Sequence, residues 1–202
     1  MSVILSAGAS LAWAATATGA ADAAGLATEA EAAEARLERT PLFLPYLAGE
    51  RTPHADPHAK GVFFGLDLAT RRGDLGWAVL EGVAFAFADG YEALTEAGSE
   101  IDEVSVIGGG ARSALWSRIL AAALRRPLTY HAGAEVGPAL GAARLARLAA
   151  TGERPDEVCT RPDIERVAGP EDALADRLAP RLERWRALYQ VLRPEMRRID
   201  AA

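Results

Sequence analysis

Three consecutive glycines, Gly108, Gly109 and Gly110, follow a short run rich in β-branched residues, Val104, Val106 and Ile107. They lead at once into a segment in which Trp116, Ile119, Leu120, Ala123 and Leu124 recur at the spacing of one helix face. A strand that ends on bare backbone and restarts as a helix admits few folds. Ser113 stands where an N-cap belongs. The pattern then repeats: a second short strand is predicted over 128–131, and Glu135, Val136, Gly137 and Pro138 lead into a helix over 138–150, with proline at a favourable first position. Gly141 and the alanines around it predict close packing of that helix on a sheet. Residues 104–150 therefore read strand, glycine turn, helix, strand, glycine turn, helix, which is an α/β pattern. A glycine turn feeding a helix N-terminus presents free N–H groups and the positive end of the helix dipole, so a phosphate or the ribose of a nucleotide suits it. On pattern alone such a turn more often serves chain geometry.

Two better-known glycine motifs do not fit. The dinucleotide fingerprint needs a third glycine where this chain has Ser113, and an acid on the next strand where it has Tyr130 and His131. The Walker phosphate loop needs a lysine, and the only lysine of the chain is Lys60. Nucleic acid is also set aside as a partner, because the net charge is −6 and the arginines form no continuous basic stripe. The single cysteine, Cys159, allows no internal disulfide, and no apolar run has the length of a membrane span. A soluble cytoplasmic protein is the expectation.

Ahead of the central stretch, residues 3–5 read as a strand end, Gly8 as a turn, and 9–18 as an alanine-rich helix carrying Trp13. An opening this apolar reads as an element interrupted. Residues 28–39 read as an acidic helix of solvated character. Two apolar runs, 42–47 and 62–66, flank a polar loop with Glu50, Arg51, His54, Asp56 and His58. The H-x-D-x-H triplet suggests a metal, but Pro53 and Pro57 hold the loop irregular and no second ligand cluster exists, so no metal site is expected. Arg51 and His54 are read instead as loop residues that meet a substrate, another lobe or a partner. The longest helix is predicted over 74–97, covered on both sides and stopped by Gly98. Glu81 within it reads as a helix-surface carboxylate paired with an arginine. Residues 159–170 read as a linker. A last helix follows, with Leu174, Leu178, Trp185, Leu188 and Leu192 as its docking stripe and its arginines as a solvated face.

Four separated segments, LFLPYLAGERTPHADPHAKGVFFGL, LEGVAFAFADG, VIGGGARSALWSRILAAAL and VGPALGAARLA, in that order and spacing, resemble the C-terminal lobe of the FGGY carbohydrate kinases. The xylulokinase branch is the most similar, and the resemblance covers essentially the whole chain. It implies an actin-like, ribonuclease-H-like ATPase lobe with a mixed sheet and flanking helices, here without its first strands. Residues 1–155 would form the nucleotide-binding lobe, and 156–202 a linker and an amphipathic helix docking on it. By the same resemblance, Gly109 and Gly110 hold the ribose and α-phosphate region, Ala111, Ser113 and Ala114 line the adenine side, and Gly8 lies near the terminal phosphates. Glycerol kinase carries an asparagine in place of Ala114 and a glutamine in place of Ala12.

The implied ligands are ATP or ADP, with Mg2+ carried mainly by the nucleotide, and a sugar held by an N-terminal lobe. The family's general-base aspartate belongs to a segment before this chain, so no catalytic residue is expected within it and the chain alone is expected to be inactive. The implied reaction of the two-lobe enzyme is phosphorylation of D-xylulose to D-xylulose 5-phosphate. Ribulose, glycerol or gluconate as substrate, or a non-catalytic α/β binding module, are the alternatives. Neither nucleic acid nor membrane is an expected partner, and a homodimer is an expected assembly.

Overall fold

The computed structural model describes residues 1–133 and 136–199, so Glu135 of the second glycine turn lies outside the described residues. The elements in chain order are α1 (Gly8–Thr18), α2 (Ala23–Glu31), a 3-10 turn (Glu34–Arg39), β1 (Leu42–Pro45), β2 (Gly61–Phe64) and α3 (Arg72–Glu96). There follow β3 (Val104–Ser105), a second 3-10 turn (Gly109–Arg112), α4 (Ala114–Leu124), β4 (Leu128–His131), α5 (Pro138–Thr151), α6 (Pro155–Val158), β5 (Ile164–Ala168) and α7 (Asp172–Ile199). The strands form an antiparallel β1–β2 hairpin and a three-stranded sheet in the order β3–β4–β5, in which β3 runs parallel and β5 antiparallel to β4.

Helix α3 is the axis, buried over most of its length from Asp74 to Gly90. Two of its glycines are explained by what lies against them. A Cβ on Gly82 would collide with the carbonyl oxygen of Phe43, and one on Gly76 would stand 2.9 Å from that of Leu26, so β1 and α2 press their backbones onto the helix. Helix α7 closes the other side through Leu174, Leu178, Trp185, Leu188 and Tyr189, and Trp185 Nε1 donates to the Phe43 carbonyl at 2.7 Å. The docking stripe expected on the last helix is present, with Leu192 only partly buried. Gly98 terminates α3 in the left-handed region at φ 84°, as expected of a C-terminal stop.

Several expectations are corrected. Residues 3–5 are not a strand; Val3 exchanges hydrogen bonds with Thr52, N–H to Oγ1 at 3.0 Å and carbonyl from N–H at 3.1 Å. Gly8 is the first residue of α1 instead of a turn. The stretch 28–39 is two short helical pieces whose Ala30, Ala33 and Leu37 are buried, because small residues gave that face little hydrophobic signal. Residues 159–170 contain strand β5, whose side chains are mostly exposed, so the sequence shows no apolar pattern there. Helix α5 has no buried residue and packs mainly on α6, and Gly141 lies in open space instead of against a sheet.

The arginines of α7 are a solvated face only in part: Arg184, Arg197 and Arg198 are exposed, but others are tied to acids of earlier elements. Arg177 pairs with Glu38, Arg186 with Asp89 and Glu92, and Arg193 with Asp56. Arg181 meets Glu81 through two hydrogen bonds of 2.6 Å and also donates to the Thr40 carbonyl. Glu81, read as a surface carboxylate, is paired with an arginine as expected but is 0% exposed. Breaking a buried pair strands a charge, which costs about 3–5 kcal/mol, whereas exposed pairs contribute little. Arg181→Ala is therefore expected to lower stability by about 3–5 kcal/mol in urea denaturation, while Arg147→Ala, which breaks the exposed pair with Glu153, leaves the midpoint unchanged.

Candidate functional site

An open cleft of about 810 Å³ lies where the N-termini of α1 and α4 meet the α2–α3 wall. Its lining includes Gly8, Leu11, Asp22, Glu31, Val79 and Val83 from the first half of the chain, and Gly109, Gly110, Arg112, Ser113, Ala114 and Trp116 from the second. Five of the six residues expected at a nucleotide, Gly8, Gly109, Gly110, Ser113 and Ala114, thus share one wall although the chain separates Gly8 widely from the rest. Ala111 does not line the cleft; it packs toward the core, and its carbonyl accepts from Arg166 at 2.8 Å. Arg112 and Trp116, which adjoin the turn in sequence, were not singled out as cleft residues, and the α2 and α3 residues were missed because only tertiary packing brings those two helices to the turn.

Local chemistry explains the turn. Ser113 caps α4, its side chain accepting from the Trp116 N–H at 3.2 Å, as its position predicts. At the start of α1 the capping residue is Ala7, whose side chain offers no acceptor to the first-turn N–H groups. The three glycines have three different reasons. Gly108 has φ 88° and needs the left-handed region. A Cβ on Gly110 would collide with the ring of Trp116. Gly109 has only the Arg112 guanidinium at 3.7 Å from its Cβ position, and Gly8 has nothing within 4 Å. Neither Gly8 nor Gly109 has positive φ. The chain's own fold therefore does not require glycine at 8 or 109, and both leave bare backbone on the cleft wall.

Arg51 and His54 lie away from this cleft. Arg51 is exposed, and His54 lines a separate cavity of about 370 Å³ with Asp89, Glu92, Arg186 and Gln190. The loop between β1 and β2 is pinned to α7. His54 stacks on Tyr189 at 3.9 Å between ring centroids, and its Nε2 stands 2.9 Å from the Tyr46 hydroxyl. Burial, helped by the nearby Arg193 cation and opposed by Asp56, pushes the His54 pKa down to about 4. Asp56, 1% exposed, accepts from the Tyr189 hydroxyl at 2.9 Å, Arg193 Nε at 3.2 Å and the His58 N–H at 3.1 Å. Burial alone would raise its pKa, but these donors and the Arg197 and Arg193 charges bring it below the ordinary value. His54, Asp56 and the backbone N–H of His58 are thus engaged in holding the loop. Glu50, 2% exposed, accepts the Leu5 and Arg51 N–H groups on Oε1, and burial raises its pKa.

The model described as "FGGY family of carbohydrate kinases, C-terminal domain" matches residues 2–150. The chain belongs to the FGGY family. It is 45% identical to the xylulose kinase of Escherichia coli strain K12 over 205 residues, covering 97% of this chain and 40% of that protein. The xylulose kinase of Klebsiella pneumoniae is 41% identical, with the same coverage. A crystal structure described as a xyloylose kinase from Brucella ovis superposes with a TM-score of 0.82 at 41% identity, covering 96% of this chain and 40% of that one. The fold is the actin-like ATPase fold of these sugar kinases, a mixed α/β lobe. The chain spans about 40% of the length of the curated relatives it matches.

Two outcomes check the site's construction. Gly110→Val is expected to lower stability by about 1–3 kcal/mol through overpacking against Trp116, while Gly109→Val leaves thermal unfolding unchanged. A histidine whose folded pKa lies below its unfolded value near 6.5 takes up protons on unfolding. Its contribution to stability is complete above pH 6.5 and is lost as pH falls toward about 4. His54→Gln is expected to flatten the stability profile in that window, as followed by urea titrations at stepped pH.

Proposed function

We propose that this chain is the nucleotide-binding part of an ATP-dependent sugar kinase. The observation that carries this reading is the convergence of Gly8, Gly109, Gly110, Ser113 and Ala114 on one cleft. The first-turn N–H groups of α1 and α4 suit anionic oxygens, with the helix dipoles adding positive potential there. Leu11, Val79, Val83 and Trp116 supply apolar surface that suits a flat base. Gly8 and Gly109 let the ligand approach the backbone closely, and Ala114 offers no side-chain hydrogen bond to the base. Mg2+ would arrive on the nucleotide's own phosphates; among the described residues no group of three or more metal-ligating side chains forms.

Phosphoryl transfer depends on aligning donor and acceptor and on stabilising charge. This chain's residues bind and orient the donor. The acceptor and its general base are assigned to the portion of the relatives that lies outside the matched 40%. D-xylulose is the proposed acceptor, because the relatives matched over 97% of the chain are xylulose kinases, whereas a gluconokinase matches over only 39% of it. The proposed setting is the cytoplasm, where ATP is available. The nucleotide lobe is assigned to residues 1–155, with 156–202 completing it through β5 and α7.

Titration calorimetry with Mg-ADP tests this reading. The chain alone is expected to bind weakly, because each absent charge-assisted contact from the opposing lobe is worth roughly 1.5–3 kcal/mol, and two would weaken binding about a hundredfold or more. D-xylulose-dependent ADP release is expected to be absent. Gly109→Val is expected to abolish ADP binding without altering thermal unfolding. Unchanged ADP affinity in that variant would remove Gly109 from the site, and phosphorylation of D-xylulose by the chain alone would overturn the division of labour.

A further inference from the structure

The glycine turn is held from behind by a residue outside the span that the family model matches. Arg166, on β5, sends Nη2 to the carbonyl of Ala111 at 2.8 Å and to Ser117 Oγ at 3.1 Å. Its guanidinium carbon lies 3.5 Å from the ring centroid of Tyr130, its ladder partner on β4. The Tyr130 hydroxyl donates to the same Ser117 Oγ at 2.7 Å, and Ser117 Oγ donates in turn to the Ser113 carbonyl at 2.8 Å. Ser117 and Tyr130 are buried at 1% and 3% exposure, so the Tyr130–Ser117 part of this chain of bonds is shielded from competing water, whereas the Arg166 bond to Ala111 lies at the surface. It ends at both carbonyls flanking Arg112, on the 3-10 turn and the cap of α4. The turn itself is closed by its own 3-10 bonding, with the Ala111 N–H donating to the Gly108 carbonyl at 3.0 Å and the Ser113 N–H to the Gly110 carbonyl at 3.1 Å.

We propose that Arg166 is a positioning residue for the nucleotide site. It fixes the Ala111 peptide, and through it the direction in which the Gly109 and Gly110 N–H groups point, without itself reaching the cleft. This rests on the nucleotide reading for its functional meaning, but the effect on the turn is measurable with no ligand present. The strand that sequence reasoning treats as linker is then part of the site's support. A chain ending at residue 150 would lack it.

The test uses the full chain labelled with 15N and the variants Arg166→Ala, Arg166→Lys and Ser117→Ala, with Arg161→Ala as a control. Arg161 precedes the same strand and pairs with Glu103. In Arg166→Ala, the Gly109 and Gly110 amide resonances are expected to shift and their hydrogen exchange to quicken without ligand. Affinity for Mg-ADP should fall roughly fivefold, the equivalent of one hydrogen bond of about 1 kcal/mol. Lysine, whose ammonium has donors for both acceptors, should restore part of the loss, and Arg161→Ala should move neither readout. Arg166 is exposed on an edge strand, so the alanine variant is expected to fold; should it not, Ser117→Ala carries the same expectation for the Gly109 and Gly110 amides. Unchanged Gly109 and Gly110 amides in a folded variant overturn the proposal. Failure of the unmodified chain to bind Mg-ADP would instead overturn the nucleotide reading, with the amide signals still deciding the role of Arg166.

Discussion

The fold depends on what α3 can bury. A helix that is covered on all sides has no solvated stripe for its one central carboxylate, so Glu81 must find its partner inside. That partner is Arg181, on the last helix. A pair of this kind is seldom a net source of stability, because desolvating two charges offsets most of their attraction. What it does is discriminate: any arrangement that leaves Glu81 without Arg181 strands a charge in the core. Arg181 also donates to the Thr40 carbonyl, just before β1, so one guanidinium fixes α3, α7 and the entry to the hairpin relative to one another. Gly82, next to Glu81, lets β1 lie directly on α3. The axis helix, the hairpin and the terminal helix are therefore specified at one place.

The cleft follows from that axis. Val79 and Val83 sit on the side of α3 away from α7's contacts and become the apolar floor between α1 and α4. Leu26 and Ala30 of α2 are drawn close by Gly76 and Gly73 of α3, which sets the width of the wall. Both helix N-termini that open onto the cleft belong to packed helices of this framework, so their N–H groups are held in place by it.

What was legible in the sequence follows a physical division. The length of α3, the cap at Ser113 and the stop at Gly98 were legible because each is set by local periodicity or by one residue's backbone preference. Strand β5 was not, since it lies at the edge of its sheet with Ile164 and Val167 exposed, and only pairing with β4 defines it. The arginines of α7 read as solvated because their partners, Glu38, Glu81, Asp89 and Asp56, are remote in the chain. The glycine turn itself was visible from its residues. That it shares a wall with Gly8 came from the resemblance of whole segments, which carries tertiary information that no single motif contains.

Within the turn, stability and ligand approach are separable position by position. Gly108 is glycine for its φ, and Gly110 is glycine for Trp116, so changes at either alter the fold whatever binds nearby. Gly8 and Gly109 have room for a side chain and backbone angles that any residue adopts, so nothing in the folded chain selects glycine there. On the proposed reading, glycine at these two places on one cleft wall serves the ligand that approaches it. The same reasoning separates the wall from its support. Ser117, Tyr130 and Arg166 reach the turn through the Ala111 and Ser113 carbonyls, while Gly109 and Gly110 line the cleft.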